Sequence, residues 1–376
     1  MNEVLPRKKV LYILPALDAG GAERVLITLM NATAISEYEP ALLSVRRDGH
    51  LKSLIDRNIP FYSLDKEPSS FILPFLPALW RRLKALKPDI IISTMAHINF
   101  AILLLKPCLP NTVIIVREAI TPSYFLDKYG YLFKLIRLLY HTLYSKADMI
   151  ISPTQRVFDE FKSFTNLRDS HCYVLKNPVE PEKIRAAINL NAPTRGLDVV
   201  RFVACGRLAR QKGFDRLITA LADFNPSFDW QLDILGEGPE HSYLEALISD
   251  LGLEQKITLK GHIMPPYSAF AAADCFLLPS RFEGLPNVVL EALSCGTKVI
   301  ATRTSGGIDE IAQDCGTDVV TVVDGMNAFI AEMALIKPMN KTKAAQACIA
   351  SCYDQAKVVR EFHQVLKGCI KNAQLD

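Results

Sequence analysis

The chain has 376 residues, 49% of them hydrophobic and 22% charged, with a formal net charge of +3. That length exceeds one ordinary core and predicts two domains of fewer than about 200 residues each, while so small a charge gives no ground for nucleic-acid binding. No run of about 18 uncharged apolar residues occurs, which excludes a hydrophobic membrane-spanning helix.

Short β-branched apolar runs alternate with helical patterns from the amino end. KVLYILP (9–15) leads into the helical AERVLITLMN; PALLSV, PFYSL, PDIIIST, TVIIVRE, ADMIISP and HCYVLKNP follow. Each run is too short for a buried helix and lies between turn or helix signals, so the alternation predicts βαβ units and a parallel sheet. The polar stretch PEKIRAAINLNAPTRGLD (181–198) interrupts it and reads as a linker, with the first domain ending at 185 and the connection covering 186–198. The alternation restarts over 199–352 with VVRFVACG, the helical FDRLITALADF, WQLDILG, HSYLEALISD, KITLKG, ADCFLLP, a helix at 286–295 and TKVIAT. The predicted fold class is α/β: two Rossmann-like, doubly wound domains facing each other across a cleft at the carboxyl ends of their strands. Residues 353–376 read as one amphipathic helix whose partner the pattern leaves open, packing back on the first domain being one arrangement.

Two basic segments stand apart. FILPFLPALWRRLKALKP (71–88) is broken by Pro74 and Pro77. YGYLFKLIRLLYHTLYSK (129–146) sets Lys134, Arg137 and His141 at helical spacing opposite a Leu, Tyr and Phe face. That arrangement suits a solvated helix packed on a sheet, or contact with an anionic membrane surface. The nine cysteines are scattered without a CxxC pair, and several lie in apolar runs such as ADCFLLP. An odd count, with no leader ahead of the first strand, predicts a reduced, cytoplasmic protein.

Glycines mark the strand ends. Gly20 and Gly21, in LPALDAGGAERV, fall where strand becomes helix and serve either a turn or close approach to a phosphate or sugar. ACGRLARQKGFD puts Arg207 and Lys212 just beyond a strand, a fork and a point charge suited to a diphosphate; two solvated charges are the plainer reading. The loop lacks the GxxxxGK[ST] spacing. ILGEGP (234–239), the GHI of Gly261, His262 and Ile263, and RTSGGIDEI (303–311) continue the series. SRFEGLPNVVLEALSCG carries Glu283 and Glu291 on either side of a Gly-Leu-Pro-Asn turn, with Pro286 suited to a first helical turn. Free N–H groups at such a helix start attract an anion, which the two carboxylates flank instead of opposing.

The order GGAER, GRLxxxKG, GEGP, EGLPNVVLE and SGGxxE, over residues 9–312, resembles the retaining nucleotide-sugar glycosyltransferases of family 4, which have the GT-B fold. The GGAER opening is similar to a branch that builds bacterial surface glycans, often on polyprenyl-diphosphate carriers. The resemblance implies that Arg207 and Lys212 bind the donor diphosphate, that Glu291 binds the ribose hydroxyls and that Glu283 contacts the donor sugar. Gly284, Leu285, Pro286 and Asn287 would lie beside phosphates and sugar, Gly20 and Gly21 would approach the diphosphate from the first domain, and Gly261, His262 and Ile263 would lie near the nucleobase. It also implies transfer of a hexosyl or N-acetylhexosaminyl group from a UDP-sugar without metal or cofactor, to a glycan or polyprenyl-diphosphate-linked acceptor. The place of action would be the cytoplasm, with peripheral contact on the cytoplasmic face of the inner membrane.

Consistent with metal independence, the chain contains no Asp-x-Asp triplet. It also holds no carboxylate pair placed for double displacement as in glycosidases, so front-face transfer is the expected mechanism. One departure concerns the strand TVIIVREA, where many members end on a histidine and this chain has Glu118 beside Arg117. Glu118 as base for the acceptor hydroxyl, His97 at the preceding strand end as a catalytic or acceptor-binding group, and a structural Glu118–Arg117 pair all stay open. The alternative functions are a nucleotide-sugar 2-epimerase on the same fold, or a non-catalytic binding protein on a decayed one.

Overall fold

The computed structural model describes residues 7–18, 20–34, 37–66, 74–122, 133–165, 171–188, 199–338 and 346–372. The chain divides into two compact units, Met1–Pro178 with Ala356–Asp376, and Val179–Gln355.

The first unit is built on seven parallel strands: β1 (Lys8–Leu14), β2 (Tyr38–Ser44), β3 (Phe61–Ser63), β4 (Ile90–Thr94), β5 (Val113–Arg117), β6 (Met149–Ser152) and β7 (Cys172–Val174). Their order is β3-β2-β1-β4-β5-β6-β7. β4 and β5 are buried at every position, which is why they read as unbroken apolar runs: a parallel sheet covered on both faces has no polar side to alternate with. The order reverses between β1 and β4, and the helices Gly21–Asn31 and Ala96–Leu105 begin at the carboxyl ends of those two strands. The last helix, Gln355–Asn372, packs on this unit. It sets Val358, Phe362, Val365, Leu366 and Cys369, a helical period, into one core with Val10, Tyr12, Leu26 and Met30. Each large side chain so buried contributes about 1.5–3 kcal/mol.

The second unit has six parallel strands: β8 (Val199–Cys205), β9 (Asp229–Leu235), β10 (Ile257–Leu259), β11 (Cys275–Leu278), β12 (Lys298–Thr302) and β13 (Val320–Val323). They run β10-β9-β8-β11-β12-β13, with the reversal between β8 and β11. The unit begins before the expected boundary at 185. Pro181–Ala186 is a short helix with proline at its start, and Ile184 joins the core of the second unit, so this stretch is not linker. Residues 189–198 of the expected connection lie outside the described residues, as do 71–73 and 129–132 of the two basic segments. Among the described residues no helix is long and apolar enough to cross a membrane.

Candidate active site

The carboxyl ends of β8, β11 and β12 bring the second unit's motifs together. β8 ends at Cys205, and the chain passes Gly206 and Arg207 before turning back at Lys212. The Lys212 side chain runs across Gly206, where an added Cβ would lie 2.9 Å from its Cε. A bare backbone here leaves the lysine chain this path without a shift. Lys212 Nζ ends 2.6 Å from Glu283 Oε1, the two side chains being 18% and 10% exposed. Ser280 Oγ donates to the same oxygen at 2.9 Å, and Gln211 Nε2 donates to Phe282 O at 3.1 Å. A carboxylate so nearly buried requires a counter-charge, and the ammonium supplies it.

The SGG loop lies directly under this turn. Gly306 has φ +67°, and an added Cβ would fall 2.6 Å from the carbonyl carbon of Glu283 and 2.8 Å from Gly284 O. Gly307 N donates to Gly284 O at 2.6 Å. The helix after the turn spans Asn287–Ser294, with Pro286 at its N-cap position instead of inside the first turn as expected. No side chain caps this start. Glu291 therefore lies about 6 Å along the axis from Asn287, little more than one turn. Gly284, Leu285 and Pro286 are buried, while Asn287 and Glu291 are partly exposed.

Arg207 is exposed and forms no ion pair among the described residues. Gly261, with φ +68°, accepts a hydrogen bond from Gly236 N at 2.8 Å, so the GHI turn after β10 adjoins the end of β9, with His262 and Ile263 exposed. The structure thus gathers Lys212, Glu283, Gly284 and the SGG loop into one contact set.

In the first unit, Gly20 is the N-cap of the helix Gly21–Asn31, and the Glu23 carboxylate folds back over it. His97 is half-buried in the first turn of Ala96–Leu105. Glu118 is only 3% exposed and turns inward. Asn99 Nδ2 donates to its Oε1 at 2.7 Å, and the Tyr144 hydroxyl donates to the same oxygen. Burial pushes the Glu118 carboxyl up to about 8, against the pull of Asn99 and Arg117. Arg117 is equally buried; its Nη2 donates to Asn177 Oδ1 at 2.6 Å, and burial lowers the guanidinium to about 10. Two expectations for this place are corrected. Glu118 has no opening toward an acceptor hydroxyl, and it forms no ion pair with Arg117, because the two side chains leave the strand end toward different partners.

Comparison with known proteins agrees with this architecture. Residues 194–351 match the family model described as glycosyl transferases group 1, and residues 19–183 match that of glycosyltransferase family 4. An uncharacterised glycosyltransferase of Methanocaldococcus jannaschii is 31% identical over 328 residues, covering 81% of this chain and 77% of that protein. The chain belongs to the family 4 GT-B glycosyltransferases.

An undecaprenol-linked 4-alpha-N-acetylgalactosaminyltransferase of Campylobacter jejuni, whose acceptor is N-acetylgalactosamine-N,N'-diacetylbacillosaminyl-diphospho-undecaprenol, is 27% identical over 371 residues, covering 94% of this chain and 98% of that protein. Among solved structures, Anabaena HepE in complex with UDP superposes with a TM-score of 0.72 at 19% identity, over 96% of this chain and 100% of that one. Sucrose-phosphate synthase from Thermosynechococcus elongatus gives 0.79 at 16% identity, over 97% and 100%. These two likenesses show the fold.

Within this glycosyltransferase, Glu118 has a measurable consequence for stability. Its folded value of about 8 stands above the ordinary 4.5, so between those values the native state holds a proton that the unfolded chain has lost. Stability must then fall as pH rises through that window. Urea midpoints measured between pH 5 and about 8 should drop in the wild type and drop less in Glu118→Gln, which cannot titrate; parallel curves would refute the buried, protonated carboxyl.

Sequence reasoning missed Ser280, Asn99 and Tyr144. Ser280 was within reach, since it opens the quoted glutamate stretch and a hydroxyl three residues ahead of a carboxylate can bond it across a tight turn. Asn99 and Tyr144 lie 19 and 26 residues from Glu118, with no local signal joining them.

Proposed function

We propose that this glycosyltransferase moves an N-acetylhexosaminyl or hexosyl group from a UDP-sugar, with retention and without a metal, to a glycan or polyprenyl-diphosphate-linked saccharide in surface-glycan assembly. The observation that carries the reading is the Lys212–Glu283 pair, nearly buried beside the start of the helix Asn287–Ser294. A diphosphate arriving there takes the carboxylate's place on Lys212, with Arg207 as a second cation and the positive end of the helix dipole as further stabilisation. Glu283, released from the ammonium, accepts hydrogen bonds from the hydroxyls of the donor sugar. Glu291, farther along the helix, accepts from the ribose.

As the bond from the anomeric carbon to the phosphate oxygen breaks, negative charge grows on the leaving diphosphate, where these cations are already in place. The acceptor oxygen bonds to the anomeric carbon on the same face and gives its proton to a leaving phosphate oxygen. Support for the donor class comes from the UDP held by a protein of the same fold. Support for the acceptor class comes from the names of two Campylobacter jejuni relatives, both N-acetylgalactosaminyltransferases of diphospho- or PP-undecaprenol-linked saccharides. Contact with a membrane rests on the helix Phe133–Leu143, where Leu135 and Leu138 are exposed at 51% and 56% between Lys134, Arg137 and His141.

One experiment tests the whole reading. The enzyme is incubated in EDTA with UDP-N-acetylgalactosamine and a polyprenyl-diphosphate-linked saccharide in anionic vesicles, and the product is analysed by NMR. An α-linked product, UDP release and flotation of the protein with vesicles at low salt are expected. A β-linked product refutes retention, an epimerised sugar in a parallel incubation without acceptor refutes transfer, and protein left unfloated refutes the membrane contact.

A further inference from the structure

The loop carrying Glu283 is fastened to the helix that follows Lys212. Asp215 and Arg216, in the first turn of Phe214–Leu221, both reach it. The Asp215 carboxylate accepts a two-bond fork from Arg281, at 2.6 Å from Nη1 and 2.7 Å from Nη2. Arg216 Nε and Nη2 donate to Pro279 O at 2.8 and 2.5 Å, and Nη2 reaches Ser280 O at 2.8 Å and Thr302 Oγ1 at 2.9 Å. The Ser280 carbonyl accepts in addition from Thr302 Oγ1 and Thr304 Oγ1, both at 2.9 Å. Ser280 then donates its own hydroxyl to Glu283.

A continuous chain of hydrogen bonds thus runs from Arg216 through the Ser280 peptide to the Glu283 carboxylate. Three residues close in sequence, Lys212 in the turn and Asp215 and Arg216 in the helix after it, hold the carboxylate, the side chain of Arg281 and the peptide between them. A guanidinium is suited to the central place because its planar fork spans the Pro279 and Ser280 carbonyls and a threonine hydroxyl together, which a single ammonium cannot do.

We propose that Arg216, braced by the Asp215–Arg281 pair, is a positioning residue for the donor sugar. It touches no substrate; it sets where Glu283 meets the sugar hydroxyls. The inference rests on the donor reading above. Because UDP is held by other groups, loss of Arg216 displaces the sugar contact and leaves the nucleotide contacts in place.

The test compares wild type, Arg216→Gln, Arg216→Lys and Arg216→Ala by melting temperature, UDP calorimetry, turnover of UDP-N-acetylgalactosamine, and amide hydrogen exchange over 279–287 and 302–307. UDP affinity should stay within about threefold of wild type, while kcat/KM for the donor falls roughly 10- to 100-fold, the scale of a small misplacement at a reacting centre. Lysine should not restore it, and millimolar guanidinium should restore part of the turnover lost in Arg216→Ala. Exchange should quicken in those two segments alone. A kcat/KM within about twofold of wild type in Arg216→Gln, or UDP affinity and turnover falling together with the folded fraction, overturns the proposal. If wild type neither binds UDP nor turns over the sugar, the donor reading fails instead. Exchange then decides the positioning role: unchanged rates over 279–287 in Arg216→Gln overturn it.

Discussion

Glu283→Gln lowers turnover of the UDP-sugar by roughly 100- to 1000-fold and leaves UDP bound as tightly as before, or more tightly. The amide keeps the side chain's size and can still accept the hydrogen bond from Ser280. What it loses is the charge that, without ligand, occupies Lys212 at 2.6 Å. A diphosphate therefore no longer displaces a carboxylate to reach the ammonium, and nucleotide affinity is spared. The donor sugar, by contrast, meets a weaker acceptor at the hydroxyls that Glu283 is assigned. Steady-state kinetics with UDP calorimetry on the same variant separates the two effects. A variant with near-normal kcat would remove Glu283 from the donor-sugar role.

Gly306→Ala is expected to be nearly as damaging by a different route. Two costs add at this position. A side chain at φ +67° carries about 1–2 kcal/mol of backbone strain. The new Cβ also meets the carbonyls of Glu283 and Gly284, which are backbone and cannot rotate away. The loop at 283–284 must shift, so stability and turnover fall together. Gly252→Ala supplies the control: its φ is +66°, yet nothing lies within 4 Å of an added Cβ. That variant should lose only about 1–2 kcal/mol and keep normal turnover. Urea unfolding and activity on the pair isolate the contact term, and equal losses in both variants would deny that Gly306 supports the site.

Much of the fold was legible because parallel strands buried on both faces become continuous β-branched runs. IIIST and VIIVR contain no polar break until their ends, where the chemistry-bearing residues fall. The elements that escaped lack such a pattern. The helix AHINFAILLL buries seven of its ten residues, so it shows no amphipathic period. The helix Pro181–Ala186 has six residues in a polar stretch and looks like linker until Ile184 is seen in a core. β13 is a four-residue edge strand.

The candidate site was legible as motifs but not as contacts. Lys212 and Glu283 lie 71 residues apart, and nothing local says that the ammonium neutralises the carboxylate. Arg216 escaped for the same reason: its acceptors lie 63 to 88 residues away, and two of them are backbone carbonyls, which carry no residue-type signal. Glu118 is a different case. Its place at a strand end left a base role and a structural role both open, because a strand-end side chain can turn either way; Asn99 with Tyr144 holds it inward.

Under the proposed function, Lys212 exchanges its carboxylate partner for a donor diphosphate. Calorimetric titration of UDP into wild type and Lys212→Ala tests it most directly. Saturable binding of one UDP by the wild type, weakened by roughly tenfold or more in Lys212→Ala, is the predicted result. Equal affinity in the two proteins, or no UDP binding by the wild type, would contradict it.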